Sequence, residues 1–377
     1  MRSRKKEYGI SICCICFMIT VNVIQAAAPE KETLYDTGHQ DEKHESRPEV
    51  SIAGYPVVLY TPETSMIFGG GGALTVRKRN AGRSQRPDNM NFYAVYTLKN
   101  QMAVLVNYDY FSDLETWEFK ILVNYQKFPD VFYGIGGDTS MDDEEKVVTE
   151  DLIVKPAITR RIYTHFRFGV TGHFNHSSVL ETEPDGVLSR GVMPGSRGST
   201  LSGIGPIAEW DSRDNIFYPS QGCWLQVSAV FYEACFGSEY KYSALVLDYR
   251  HYFMLKENHI LAIQIYGKAL DGEIPFNHYA WLDKLRGIFS SRFRDRSLML
   301  AQAEYRYPVY KRFSGVLFAG AGDVRDKFSE FTWRDVKLVC GAGLRFAVLP
   351  SDNMNLRFDL GFSRYGTNMY FQLSEAF

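Results

Sequence analysis

The stretch Thr116-Trp-Glu-Phe-Lys-Ile-Leu-Val-Asn-Tyr-Gln126 decides the fold. Trp117, Phe119, Ile121, Val123 and Tyr125 fall on one side of an extended chain, and Thr116, Glu118, Lys120, Asn124 and Gln126 on the other, because successive side chains of a strand point to opposite faces. The same period returns from Leu298 to Tyr307, where Met299, Ala301, Ala303, Tyr305 and Tyr307 oppose Gln302, Glu304 and Arg306. It returns from Asn353 to Ser363, where Met354, Leu356, Phe358, Leu360 and Phe362 oppose Asn355, Arg357, Asp359 and Ser363. Strands of a soluble sandwich run to roughly 5–6 residues. These are about twice as long, and a long strand with one oily and one wet face fits a wall between lipid and a polar interior.

Working outward from these three runs, similar segments fill the chain from residue 64 to Phe377 and bring the expected total to sixteen. The reading is an all-β protein whose residues 51–377 form a 16-stranded antiparallel transmembrane β-barrel. Its weakest member is the glycine-rich stretch Val131 to Asp138, retained because it places short turns at 99–100, 128–130, 160–162 and 215–220 on one side. The longer loops at 78–89, 139–149, 176–199, 271–297 and 324–334 then fall on the other, as short periplasmic turns and long outer loops should. Composition agrees. The 377 residues are 45% hydrophobic and 15% aromatic, which excludes a disordered chain. A formal net charge of −2 gives no reason to expect a nucleic-acid partner. A mean hydropathy of −0.23 excludes a bundle of spanning helices and is compatible with a barrel, in which apolar and polar residues alternate.

Residues 1–28 read as an export signal: Arg2, Arg4, Lys5 and Lys6, then an apolar run from Ile10 to Ile24, then Ala26-Ala27-Ala28. Residues 29–50 read as a polar periplasmic arm, and Ser51 to Pro62 as a segment closing the periplasmic mouth. Beyond the signal, Cys223, Cys235 and Cys340 lie too far apart for a CxxC metal site. They read as isolated apolar cysteines, with a Cys223–Cys235 bridge as the alternative in an oxidising compartment. His39 with His44, and His173 with His176, lack the spacing of metal ligands. Asp211, Arg213 and Asp214 sit in a Pro/Gly-rich segment and read as a hydrogen-bonded turn. No catalytic residue, cofactor site or metal site is expected. Trp117, Trp210, Trp224 and Tyr305 read as residues of an interfacial girdle.

Four stretches resemble the BamA/TamA superfamily of outer-membrane barrels, also described as bacterial surface antigen barrels. Tyr55-Pro-Val-Val-Leu-Tyr-Thr-Pro-Glu-Thr leads into a glycine-rich first strand, and Phe132-Tyr-Gly-Ile-Gly-Gly-Asp-Thr follows the expected fourth. Glu209-Trp-Asp-Ser-Arg-Asp-Asn-Ile-Phe-Tyr-Pro-Ser-Gln-Gly is similar to the family's turn between strands eight and nine. Leu285-Arg-Gly-Ile stands where the family has a Val-Arg-Gly-aromatic motif in the sixth outer loop, folded back into the barrel. The terminal Phe377 matches the aromatic end of the family's assembly signal.

The resemblance implies a loop lock built from Arg286, Gly287 and Glu304. A buried guanidinium needs acceptors, and Glu304 matches the family's strand-twelve acid. Where the family has an Asp in the next strand, this chain has Gly320 within Phe318-Ala-Gly-Ala-Gly, so Asp323 is the expected substitute. Arg286 then either pins a long loop or takes part in gating or assembly. The tract Gly69-Gly70-Gly71-Gly72, with Phe377, suggests a weak first-to-last seam, or else close packing of an inner segment against the glycines. The implied function is outer-membrane protein assembly, insertion or translocation in the outer membrane of a Gram-negative cell. A passive or gated channel and a structural surface protein are the alternatives. Expected partners are outer-membrane lipid and either unfolded outer-membrane proteins or a separate periplasmic protein. The residues between signal and first strand leave no room for the POTRA domains of the family's insertases, so a POTRA-less form is expected.

Overall fold

The computed structural model describes residues 49–61, 65–78, 86–289, 291–349, 354–373 and 375–377. The expected signal, and the arm up to residue 48, lie outside the described residues. One antiparallel sheet takes up sixteen strands in chain order. They are β1 (Glu49–Thr61), β2 (Ser65–Arg77), β3 (Asp88–Thr97), β4 (Met102–Phe111), β5 (Trp117–Phe132), β6 (Glu145–Arg161), β7 (Phe166–Thr182) and β8 (Ser199–Asp211). There follow β9 (Gly222–Tyr232), β10 (Tyr242–Lys256), β11 (His259–Gly272), β12 (Ser297–Tyr310), β13 (Phe313–Arg325), β14 (Lys337–Leu349), β15 (Met354–Ser363) and β16 (Gly366–Leu373). Each strand is joined by a ladder to the next one in the chain, and the protein is a 16-stranded β-barrel. No helix among the described residues is long and apolar enough to cross a membrane.

The burial pattern is that of a soluble protein turned inside out. Phe119 is 43% exposed while its neighbour Glu118 is 3% exposed. Along β12, Met299 is exposed while Leu298, Gln302, Glu304 and Arg306 are buried. Water would penalise such an outer surface, but lipid does not, because apolar side chains lose nothing against hydrocarbon. The charged faces meet across the lumen instead. Lys120 Nζ on β5 lies 2.8 Å from Glu209 Oε1 on β8 and 3.1 Å from Glu118 Oε1.

The strand total is as expected, yet two memberships differ. Glu49–Thr61, read as the end of an arm and a mouth-closing segment, is β1, paired along its length with β2. Its Pro56 is exposed on a strand with a ladder on one side only, where a missing N–H is tolerated. Val131–Asp138 is not a strand of its own. Its first two residues end β5, and Gly134 and Gly136 then take φ of +86° and +131°, left-handed conformations that break the extended chain.

This exchange moves the turn at 98–101 to the end that carries the long loops, and the end of β2 and start of β3 to the opposite end. From β6 onward the expected sidedness stands: the segments 133–144, 183–198, 273–296 and 326–336 share one end, hereafter the loop end. Trp117 and Trp210 are exposed near the other, turn end. Trp224 is not in that outer girdle. It faces the lumen, with the Arg250 guanidinium 4.5 Å from its ring centroid.

Candidate functional site: an inward-folded loop and an unladdered seam

The 24-residue connection between β11 and β12 does not stand out from the loop end; it enters the barrel. Ala280–Trp281 and Arg294–Asp295 pair as a short ribbon that stiffens its neck. Arg294 is buried, donates to the Val131 carbonyl at 3.1 Å and stacks on Trp281 at 4.3 Å. Arg292 donates to Thr139 Oγ1 at 2.6 Å, and the Gly136 N–H donates to the Arg294 carbonyl at 2.8 Å. The glycine-rich stretch after β5 is therefore a socket for the loop. Leu282, Leu285, Ile288 and Phe293 fill the apolar part of the lumen with Leu298, Leu300 and Val339 from the wall.

At the tip, Arg286 Nη2 lies 2.7 Å from Glu304 Oε2 on β12, and Nη1 lies 2.7 Å from Asp359 Oδ2 on β15. Its guanidinium also covers the Phe318 ring at 3.7 Å. Arg306 and Arg345 continue the network: Arg306 Nε is 2.8 Å from Glu304 Oε1, and Arg345 bridges Glu304, Asp359 and Glu375. All of these side chains are 5% exposed or less. Isolated charges at such depth would be very costly, whereas alternating arginines and carboxylates neutralise one another.

Gly287 has φ +124°, and a Cβ there would lie 3.0 Å from the Phe362 backbone. Its N–H donates to Tyr370 Oη at 3.0 Å, and Ser363 Oγ donates to its carbonyl at 2.7 Å. The Arg-Gly pair thus rests directly on β15 and β16.

Asp323 does not substitute for the missing acid. It pairs with Lys337 and, at 2.9 Å, with Arg325, and serves the wall near the loop end. The second acid for Arg286 is Asp359, two strands further on, which the inward parity of the 353–363 run had already put on the lumenal face. At Gly320 a Cβ would meet Leu285 Cδ2 at 2.9 Å and Gln302 Cβ at 3.0 Å, because the loop's own leucine occupies the acid's place. Gly320→Asp is accordingly expected to destabilise the barrel by roughly 1–3 kcal/mol through overpacking alone, read as a lower midpoint of heat-induced mobility shift. A variant as stable as wild type would show that the space is free.

The tetraglycine tract lies on β2, one strand in from the edge where it was expected. The ring of Tyr55, opposite Gly71, lies on it: a Cβ at Gly71 would be 2.6 Å from Tyr55 Oη, and one at Gly72 would be 3.0 Å from Phe92 Cζ. The edges that do meet are β1 and β16. No ladder joins them among the described residues. They approach through side chains, with the Tyr55 and Phe371 rings edge-on at 6.0 Å. Phe217, from the segment between β8 and β9, joins Ala53, Ala73, Val348 and Met354 at the turn end.

Phe377 is likewise not the end of the last strand. β16 stops at Leu373, and residues 375–377 turn inward. Phe377 is buried with Tyr252 and Ala262, its carbonyl oxygen accepting from Arg306 Nη2 at 3.0 Å. Glu375 accepts from Arg345 and from Asn355 Nδ2 at 2.9 Å.

Residues 67–377 match the model of the Omp85 superfamily domain. The chain belongs to the Omp85 superfamily. Among solved structures it is similar to BamA from Haemophilus ducreyi lacking POTRA domains 1–3, at 10% identity and TM-score 0.55, covering 95% of this chain and 74% of that one. That likeness is one of fold. Wzi, the outer-membrane carbohydrate-binding barrel of Escherichia coli capsule assembly, is more distant, at 8% identity, TM-score 0.33 and coverage of 86% and 76%. No curated protein matches the sequence. An Omp85 barrel of this kind is an outer-membrane β-barrel.

The remaining candidates of this Omp85 chain occupy structural positions. Asp211 accepts from Arg213 Nε at 2.9 Å and Nη2 at 2.8 Å, while Asp214 accepts from the Asn215 and Ser220 N–H groups within one turn. His173 bonds Tyr232 and His176 bonds Thr200 Oγ1 at 3.0 Å. No group of three metal-ligating side chains is present among the described residues. Cys223, Cys235 and Cys340 are free thiols, so the bridge alternative is not adopted.

Proposed function

We propose that this Omp85-superfamily barrel takes part in the assembly, insertion or translocation of outer-membrane proteins, and that the seam between β1 and β16 is where a client strand engages. The observation that carries the reading is the pair of unladdered edges beside a tail turned inward. An unpaired backbone group in hydrocarbon costs several kcal/mol. An incoming strand therefore gains hydrogen bonds at this seam, where elsewhere in the wall it would have to displace them. The buried Arg286 network holds the loop against β15 and β16, keeping one side of the seam in a fixed shape. The partners of this reading are outer-membrane lipid and unfolded outer-membrane proteins.

A thiol-to-thiol crosslink between Tyr55→Cys and Phe371→Cys tests it. The crosslinked barrel in liposomes is expected to lose its ability to promote folding of an outer-membrane client, with recovery after cleavage of the link. Full activity in the linked state overturns lateral engagement.

A further inference from the structure

Most basic side chains that face the lumen are matched by an acid, as Lys120, Arg250, Arg286, Arg306, Lys337 and Arg345 are. Lys155 on β6 and Lys268 on β11 are not. Both line a cavity of about 840 Å³ between the wall and the inward loop, and neither forms an ion pair with a described residue. Among the described residues, Lys268 makes one polar contact, a long 3.4 Å donation to the His278 carbonyl. Lys284 adds a third positive charge nearby, its Nζ 4.8 Å from the Tyr266 ring centroid. Against these stands Asp283, whose charge reaches Lys155 and Lys268 without pairing with either.

Of the other acids on the cavity wall, one is paired and one is distant, the distant one, Asp151, keeping a carboxylate oxygen without a hydrogen-bond partner among the described residues. Asp130 pairs with Arg294, and Asp151 accepts from Thr149 Oγ1 at 2.7 Å about 13 Å along β6 from Lys155. The field in this corner is therefore positive. Burial first, and then the charges of Lys268 and Lys155, push the imidazole of loop residue His278 down to about 3. The neutral donors are also at hand. Tyr232 and Tyr242 stack at 4.0 Å, and their hydroxyls lie beside the His173 and His278 rings.

We infer that Lys155 and Lys268, which line one cavity with Tyr232, Tyr242 and Tyr266, form a lumenal binding site for a small oxyanion of the phosphate type. Lys155 is exposed to the lumen and Lys268 half-buried, and two ammonium groups facing one concave lumenal cavity attract an anion more strongly than the same groups on an open surface. Phenol hydroxyls supply hydrogen bonds without adding charge. The cavity opens on the lumen, so the ligand is a dissolved anion and not the headgroup of a bilayer lipid. Asp283 is the nearby negative charge that weakens binding of the anion. The site is independent of the seam and goes beyond the assembly reading.

Titration of the whole folded protein in detergent with inorganic phosphate tests this. Saturable one-to-one binding is expected, weakened on the order of tenfold by Lys155→Gln and again by Lys268→Gln. Asp283→Asn is expected to tighten it several-fold and guards against lysine variants that fail to fold. Three results overturn the site: no saturable binding by wild type up to about 10 mM, the weak end of specific recognition; folded lysine variants with wild-type affinity; or an Asp283→Asn variant that binds no more tightly.

Discussion

Arg286→Ala is expected to release the inward loop and to cost about 3 kcal/mol of barrel stability. The figure lies at the lower end of the roughly 3–5 kcal/mol lost when one partner of a buried pair is removed. Glu304 and Asp359 are both 0% exposed and would each lose a cation at 2.7 Å, but Arg306 and Arg345 remain to neutralise part of their charge. The readouts are the midpoint of heat-induced mobility shift and the rate at which protease cuts within residues 273–296. Arg286→Lys is expected to recover only part of the loss, since a single ammonium cannot reach two carboxylates on strands three apart as a guanidinium fork does. A wild-type midpoint together with a wild-type cleavage pattern would mean that the loop is held by its apolar packing alone.

The second large effect is expected at Gly361, opposite the same contact. A Cβ there would lie 2.6 Å from the Arg286 carbonyl and 2.7 Å from the Gly287 nitrogen. Both neighbours are backbone, and neither can swing aside as a flexible side chain would. Gly361→Val must therefore either lift the loop off β15 or bend β15 away from it. Overpacking of this kind costs about 1–3 kcal/mol, and lifting the loop adds part of the Arg286 ion-pair loss. Loop cleavage should rise even more than in Arg286→Ala. Gly366, whose Cβ would meet nothing, is the matched control, changed to Asn because its φ is +141°. Equal protease resistance in Gly361→Val and Gly366→Asn would show that the loop does not rest on the strand.

The wall of the barrel was legible because lipid imposes period two on every crossing strand. Trp117, Phe119 and Ile121 are exposed outward as the pattern requires. Pairing is a weaker signal. Gly69 to Gly72 read as part of the first strand because Glu49–Thr61 reads as the end of a polar arm and a segment closing the periplasmic mouth. Parity then had to be restored by counting Val131–Asp138, whose glycines actually turn the chain toward the loop.

The site was legible in part. Arg286 and the inward position of Glu304 follow from motif and alternation. The partner on β15 depends on how far the loop reaches across the lumen, and no local pattern encodes that reach. Asp359 was visible as an inward acid with a glycine two residues later, Gly361. That pair, an acid to hold a guanidinium beside a bare backbone to seat it, is the signal that would have found it. Lys155 and Lys268 were hidden for a related reason, since what distinguishes them is that the residues directly opposite, Leu122 for Lys155 and Val246 and Leu298 for Lys268, are apolar.

Everything above depends on the alternating wall facing lipid outside and a polar lumen inside. An environment-sensitive fluorophore placed singly at positions 119, 121, 122, 123 and 124 of β5, in liposomes containing brominated lipid, measures that alternation directly. Strong quenching at 119, 121 and 123 with weak quenching at 122 and 124 is expected. Uniform quenching along the stretch, or none at any position, would contradict a membrane-embedded barrel.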